Sequence, residues 1–432
     1  MGHFRNIGHL LSGNAISNVM ALVSLAIVGR ALETELFGIF VLVITYVRLV
    51  ERFVRFESWQ PLIRFASNLE GGDRAKLPRL YLYGILLDLA AAFTAAFGAV
   101  AAAAALGSLF GLDAEYLHLV AIYSVCVLFN LSGWTTAALR MAGRFKQIAY
   151  SQPIGQVVRI PLALFCWYYW PTVTGFMIAW AIAQLTTSTI IMALGWKALR
   201  EEGISSPLKE TPRNLPRDFP GFIGFAWSTN LSMTLRTMTQ EADVLLVGAL
   251  AGPSSAGFYH VAKRLAKVAQ QVGAHTQAVL YPQMARFWSE GKYKKLRRLT
   301  HNVQLILSGL GVLAIIAAAL VGQDLVELAM GQDYGQVGPL LVAQLFAVTL
   351  IMHAAPSRSI LLSMGRPGVV LRSSLVATIL FFICALLLIP RYGAMGANLS
   401  HIAFAATTAL WMDIAWLRLI RQRIGGVTQA GD

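Results

Sequence analysis

The sequence predicts an all-α integral membrane protein with about twelve transmembrane helices, arranged as two six-helix bundles related as parallel repeats around a central cavity. Three observations carry that fold class. Of 432 residues, 56% are hydrophobic and only 13% charged, with a mean hydropathy of +0.61, which sets the chain apart from soluble globular proteins. Apolar runs of about 20 residues, enough to cross a hydrocarbon core about 30 Å thick, recur along the whole chain. Lys and Arg gather in alternate connections between the runs. The alternating pattern of a membrane β-barrel is absent from the sequence.

Leu11–Leu32 is the first run. Arg5 and two histidines precede it, but it is too long for a secretory signal and lacks a small-residue cleavage pattern, so it reads as a membrane helix. A second, charge-bearing segment starts at Leu36. Leu80–Leu106, Leu117–Leu139, Ile148–Trp170 and Gly175–Leu199 follow and complete an N-terminal lobe over 1–200. Proline and charge in "EEGISSPLKETPRNLPRD", Glu201 to Asp218, mark a linker over 201–218. The C-terminal lobe, 219–432, holds Phe222–Leu250, a basic eighth segment, Gln304–Val321, Val337–Leu362, Val369–Pro390 and Ala394–Leu417.

The placement of charge predicts topology. One set of connections carries Arg74, Lys76 and Arg79, then Arg140, Arg144 and Lys146, then the linker cations, then Lys292 to Arg298, Arg366, and Arg418 to Arg423. The other carries Glu33, Glu35, Asp113, Glu115, Asp324, Glu327 and Asp333, with Arg391 its one basic residue. By the positive-inside rule both termini are expected in the cytoplasm. The net charge of +14 thus follows membrane topology, with no aromatic-interleaved patch that would suit nucleic acid. Cys126, Cys166 and Cys384 fall in predicted membrane helices without metal or redox spacing, and no phosphate-binding glycine loop is present, so no cofactor is expected.

Two halves repeat one another. "IVGRALETELFGIF" at Ile27–Phe40 resembles "LVGALAGPSSAGFY" at Leu246–Tyr259, with Gly29 falling on Gly248 and Gly38 on Gly257, a shift of 219 residues. "RMAGR", ending at Arg144, and "LSMGR", ending at Arg366, repeat at a shift of 222. Six helices per half is an even number, so both halves enter from one side, as in transporters built of parallel repeats.

Charges inside the apolar segments mark the candidate site. Leu36 to Val47 is twelve residues, about 18 Å of helix against a core about 30 Å thick, so Arg48 still lies within the membrane. Arg48, Arg52 and Arg55 share one helix face with Thr45, and Glu51 stands beside it. Arg52 and Arg55 have a plainer alternative, snorkelling to the surface. The repeat sets Arg48 against Lys267, and Lys263, Arg264 and Lys267 enter the membrane early in the eighth segment, where lipid exposure costs several kcal/mol. They are expected to face a watery cavity. Arg159 and Arg236 are further intramembrane cations, each open to a structural ion-pair reading. Glu51, Asp88, Glu241 and Asp243, with Asp413 as a further acid, are candidates for ion pairing or for binding a coupling proton or sodium ion. Asn14, Asn18, Asn130 and His353 read as satisfied core groups.

The "GRALETELFGIF" and "DVLLVGALAGPSSAGFY" patterns, the basic eighth helix and the tandem six-helix layout resemble bacterial polysaccharide flippases, the lipid-linked oligosaccharide exporters of the multidrug/oligosaccharidyl-lipid/polysaccharide superfamily. The resemblance implies two lobes that rock around a cationic cavity and carry an undecaprenyl-diphosphate-linked glycan from the cytoplasmic to the outer leaflet. O-antigen, capsule or exopolysaccharide would be the product, with polysaccharide polymerase machinery as a partner. A cavity richer in Arg and Lys than in acid suits a diphosphate independently, through charge-assisted hydrogen bonds. A multidrug cation exporter should instead present carboxylates. A membrane glycan polymerase should carry a large external loop, and none is present in the sequence. A peptidoglycan lipid-precursor flippase remains the nearest alternative.

Overall fold

The computed structural model describes the backbone of residues 2–55, 58–69 and 74–429, and their side chains except at 2–15, 152, 231–240, 272, 274–275, 278–279 and 424–429. The chain is a multi-pass helical membrane protein, with no strand among the described residues. It divides into two compact units, Met1–Leu245 and Leu246–Asp432.

The first unit runs through α1 (Gly2–Ala31), α2 (Thr34–Val54), α3 (Trp59–Leu69), α4 (Leu77–Leu106), α5 (Leu117–Leu128), α6 (Ser132–Met141), α7 (Phe145–Tyr169), α8 (Val173–Glu201), the short α9 (Leu215–Asp218) and most of α10 (Phe222–Ala251). The second holds the end of α10, then α11 (Pro253–Ser289), α12 (Tyr293–Ala317), α13 (Gln323–Met330), α14 (Val337–Ser363), α15 (Pro367–Tyr392) and α16 (Ala394–Gln429). A π-helical turn, Ala318–Gly322, joins α12 to α13.

Among the described residues, seven stretches are long and apolar enough to cross a membrane: Arg74–Phe110, Ala114–Met141, Val173–Glu201, Tyr293–Met330, Gln332–Ser363, Pro367–Tyr392 and Ala394–Arg423. α2, α7, α10 and α11 are interrupted by Arg48, Arg159, Glu241 and Lys263. Polarity is concentrated in particular helices rather than spread over all of them.

The internal repeat appears in the helix pairing of each unit. In the first, α2 packs on α4 and α5, α4 on α5 and α6, α7 on α8, and both α5 and α6 on α8. In the second, α11 packs on α12 and α14, α12 on α14, α15 on α16, and α14 on α16. The two lists coincide when α5 and α6 together are matched to α14.

Helix ends repeat as well. Gly143 closes α6 at φ +67°, with Arg144 N–H donating to Leu139 O at 2.8 Å and Gly143 N–H to Arg140 O at 3.0 Å. Gly365 closes α14 at φ +70°, with Arg366 N–H donating to Leu361 O and Gly365 N–H to Leu362 O, both at 3.0 Å. This is the left-handed glycine cap that satisfies orphan carbonyls at a helix C-terminus. Gly203 after α8 and Gly291 after α11 make the same bonds.

Two features depart from the sequence expectation. The connection after α2 folds into α3, an amphipathic helix that buries Leu62 and Ala66. Leu117–Leu139, expected as one helix, breaks at Phe129–Leu131 into α5 and α6. The segment over 201–218 is tied down: Leu215, Phe219 and Phe222 share a buried cluster with Leu62, Tyr83 and Trp134, and Arg79 pairs with Asp218 at 2.7 Å.

Candidate functional site

In the first unit the charged face of α2 assembles into a network. Thr45, at its head, is buried, so the polar face begins at Arg48, which hydrogen-bonds Tyr123 of α5 and has Glu241 and Glu51 as nearby carboxylates. Arg55 pairs with Glu51 at 3.2 Å, one helical turn back, and also bonds Ser132 Oγ at the start of α6. Asn130 Nδ2, in the gap between α5 and α6, donates to Glu51 Oε1 at 2.6 Å. Arg52 stands 3.8 Å from Glu241 of α10, and Asn230 of α10 donates to the Phe53 carbonyl at 3.3 Å. Arg55 is therefore turned to α6 rather than to the surface, while Arg52 is half exposed.

Asp88 on α4 sits at the broken helix. Its Oδ1 accepts from Ser58 Oγ at 2.5 Å, and its Oδ2 accepts the Trp134 backbone N–H at 3.0 Å, with Arg55 close by. A carboxylate receiving the first free N–H groups of α6 acts as a helix cap supplied from another helix, favoured by the helix dipole. Three guanidinium groups, Arg48, Arg52 and Arg55, thus meet three carboxylates, Glu51, Asp88 and Glu241. These three cations are thus matched by three acids.

Arg159 is buried on α7, with its guanidinium 4.8 Å above the Trp180 ring of α8 and a bond to Gln156 Oε1 at 3.3 Å. Asp243 is buried, and its Oδ1 accepts the Val244 backbone N–H at 2.8 Å. The side chain of Arg236 lies outside the described residues, as do those of Asn14 and His275.

In the second unit, Lys263 and Arg264 are half-buried on α11 and Lys267 is exposed. Lys263 Nζ lies 5.9 Å from the centre of the Tyr259 ring one turn earlier. From Pro253 to Ser289, α11 contains no Asp or Glu at all. The cations of α11 thus have no carboxylate on their own helix, whereas those of α2 share theirs with Glu51.

A further polar cluster joins three helices of this unit. His353 Nε2 of α14 lies 2.9 Å from Asp413 Oδ2 of α16, and His353 Nδ1 lies 2.9 Å from Ser308 Oγ of α12. Asp413 Oδ1 also receives Ser357 Oγ, Gln304 Nε2 at 3.0 Å and Trp416 Nε1 at 3.1 Å. In the sequence, His353 reads as a satisfied core group and Asp413 as a candidate for ion pairing or for binding a coupling ion, with nothing to join the two. Their separation of 60 residues gives no local spacing to detect. The available signal was two titratable groups on two apolar helices.

Known proteins agree with this architecture. A family model described as polysaccharide biosynthesis protein matches residues 4–288. The chain is 26% identical over 331 residues to inner membrane protein YghQ of Escherichia coli K12, covering 76% of this chain and 93% of YghQ. It is 25% identical over 122 residues to capsular polysaccharide biosynthesis protein CapF of Staphylococcus aureus, covering 28% of this chain and 31% of CapF. Among solved structures, the lipid II flippase MurJ in an inward closed conformation aligns at a TM-score of 0.74 and 13% identity, over 96% of this chain and 90% of MurJ. An inward-facing multidrug resistance MATE family transporter aligns at 0.69 and 14% identity, over 96% of each chain.

Helix pairing and structural likeness together define a multi-pass membrane protein with the two-repeat fold of the MOP superfamily transporters. Within that class, the chain belongs to the polysaccharide biosynthesis protein family.

Proposed function

We propose that this protein is a flippase that carries an undecaprenyl-diphosphate-linked oligosaccharide from the cytoplasmic to the outer leaflet of the inner membrane, for assembly of a surface polysaccharide. The observation that carries the reading is α11, whose intramembrane cations Lys263, Arg264 and Lys267 share a helix with no carboxylate. A diphosphate bears several acceptor oxygens and suits such a stripe through charge-assisted hydrogen bonds. Membership of a polysaccharide biosynthesis family supports the glycan. In this reading the halves act as six-helix lobes that alternate in access, residues 201–218 join them in the cytoplasm, both termini are cytoplasmic, and the product passes to a polysaccharide polymerase. Arg48, Arg52 and Arg55 organise the first lobe's polar face, and their acid partners limit their share of anion binding.

The peptidoglycan lipid precursor, also a diphosphate lipid, is the second substrate to test, because the MurJ fold likeness extends over nearly the whole chain. Cells depleted of this protein should accumulate lipid-linked surface oligosaccharide in the inner leaflet while lipid-linked peptidoglycan precursor turns over normally. An unchanged leaflet distribution of both lipids would sink the flippase reading, and accumulation of the precursor alone would transfer it to cell-wall synthesis.

A further inference from the structure

The His353–Asp413 cluster is chemically unlike the anion-binding stripe. Every neighbour of Asp413 is a donor or can act as one: Ser357, Gln304, Trp416 and His353. An indole N–H has no lone pair to offer a cation, so the arrangement does not suit a metal ion, which needs several converging lone pairs. Among the described residues no group of three or more His, Cys, Asp and Glu could hold one. What the cluster can exchange is a proton.

The proton has a defined place. With Nε2–H donated to Asp413, the imidazole gains or loses its second proton at Nδ1, beside Ser308 Oγ. A hydroxyl serves both states, since it donates to the bare Nδ1 of the neutral ring and accepts from Nδ1–H of the charged ring. Neither state leaves a polar atom unpaired. The His353 and Asp413 side chains are 33% and 23% exposed, so the pair is not sealed within the packed helices. Uptake changes the pair from one net negative charge to none, and the cost of charge in a membrane interior makes that change consequential.

Its location links the charge to backbone mechanics. His353 and Ser357 flank Pro356, which removes one backbone hydrogen bond from the last third of α14. Gln304 of α12 approaches the His353 carbonyl at 3.5 Å, as neighbours do around prolines in membrane helices. The cluster thus ties α12 and α16 to α14 at its weakest point. Titratable or charged groups on the surrounding helices include His301 on α12, Arg358 on α14, Arg372 and Cys384 on α15, Arg418 on α16, and Lys267, Tyr281 and Arg286 on α11. Of these, His301 touches the cluster, with its ring centre 5.2 Å from that of Trp416.

We infer that His353, held between Asp413 and Ser308, is a proton-binding site that couples a proton gradient to substrate movement; the coupling half rests on the flippase reading. Two measurements test it. In substrate-free detergent solution, the parent protein should take up about one more proton than His353→Gln on acidification from about pH 8 to 5. Identical uptake by a folded His353→Gln would overturn the site. In vesicles, lipid-linked oligosaccharide movement by the parent protein should respond to an imposed pH gradient and not to a sodium gradient alone; the reverse result would overturn the coupling. The second measurement needs no variant, so it decides the coupling even if His353→Gln does not fold. A differential proton uptake with no lipid movement under any gradient would leave the site standing and refute the flippase reading.

Discussion

Gly133 and Asp88 are in such close apposition that position 133 has no room for a side chain. A Cβ there would lie 2.6 Å from Asp88 Oδ1 and closer still to Ser58 Oγ. Both oxygens are already engaged, Ser58 with Asp88 and Asp88 with the backbone of α6. Gly133→Ala should therefore destabilise the protein by about 1–3 kcal/mol, the usual cost of overpacking. Thermal unfolding in detergent checks this, and an unchanged midpoint would show that Asp88 is not fixed as a cap.

The α11 cations should behave as binding groups. Lys267→Ala should accumulate in the membrane like the parent protein, since Lys267 is exposed, yet export less oligosaccharide. Lys267→Glu should export least, because a carboxylate repels phosphates, and Lys267→Arg should retain much of the activity by keeping the sign. Outer-leaflet oligosaccharide normalised to protein in the membrane is the readout; parity between Lys267→Glu and the parent would exclude a cationic binding role.

Arg55 should respond in the opposite way. It holds Glu51 and reaches Ser132 across the broken helix, so Arg55→Ala should lower the amount of folded protein more than Lys267→Ala does. The pair is partly exposed, which limits the Arg55–Glu51 coupling to about 1 kcal/mol. A double-mutant cycle with Glu51→Ala measures that coupling, and strictly additive losses would mean the pair does no work.

The repeated caps give a matched comparison. Gly143 and Gly365 have open space where a Cβ would go, so the cost of alanine at either is backbone strain alone, about 1 kcal/mol. Gly143→Ala and Gly365→Ala should lower the unfolding midpoint by similar amounts. A large effect at one and none at the other would show that the ends of α6 and α14 are not equivalent.

Topology is open to direct labelling. Cysteine placed at Ser206, in a background lacking the three native cysteines, should resist a membrane-impermeant thiol reagent in intact cells and react once the inner membrane is permeabilised. Ser206 is exposed in the structure, so burial would not account for protection. Labelling of intact cells would reverse the proposed orientation.

Much of this architecture was legible in the sequence because membrane length and helical periodicity are local properties. The apolar runs became helices, and the Arg48, Glu51, Arg52 and Arg55 grouping follows from spacing on one helix. The balance of those charges did not, because Glu241 and Asp88 reach the network from α10 and α4. The break at Phe129–Leu131 carries neither proline nor glycine, and its stabilising partners, Glu51 and Asp88, are 79 residues from Asn130 and 46 from Trp134. Packing of Arg159 on Trp180 likewise depends on which helices become neighbours.

The broken fourth pass also constrains how the protein can be made. With 12 and 10 residues, α5 and α6 measure about 18 and 15 Å, and neither crosses a core about 30 Å thick. The insertion machinery can therefore accept them only as one apolar run, threaded before the break exists. The groups that stabilise the break, Glu51 and Asp88, leave the ribosome earlier in synthesis. The order of residues along the chain matches an order of events in biogenesis, in which the helix is first inserted whole and is then bent onto partners already waiting in the bilayer.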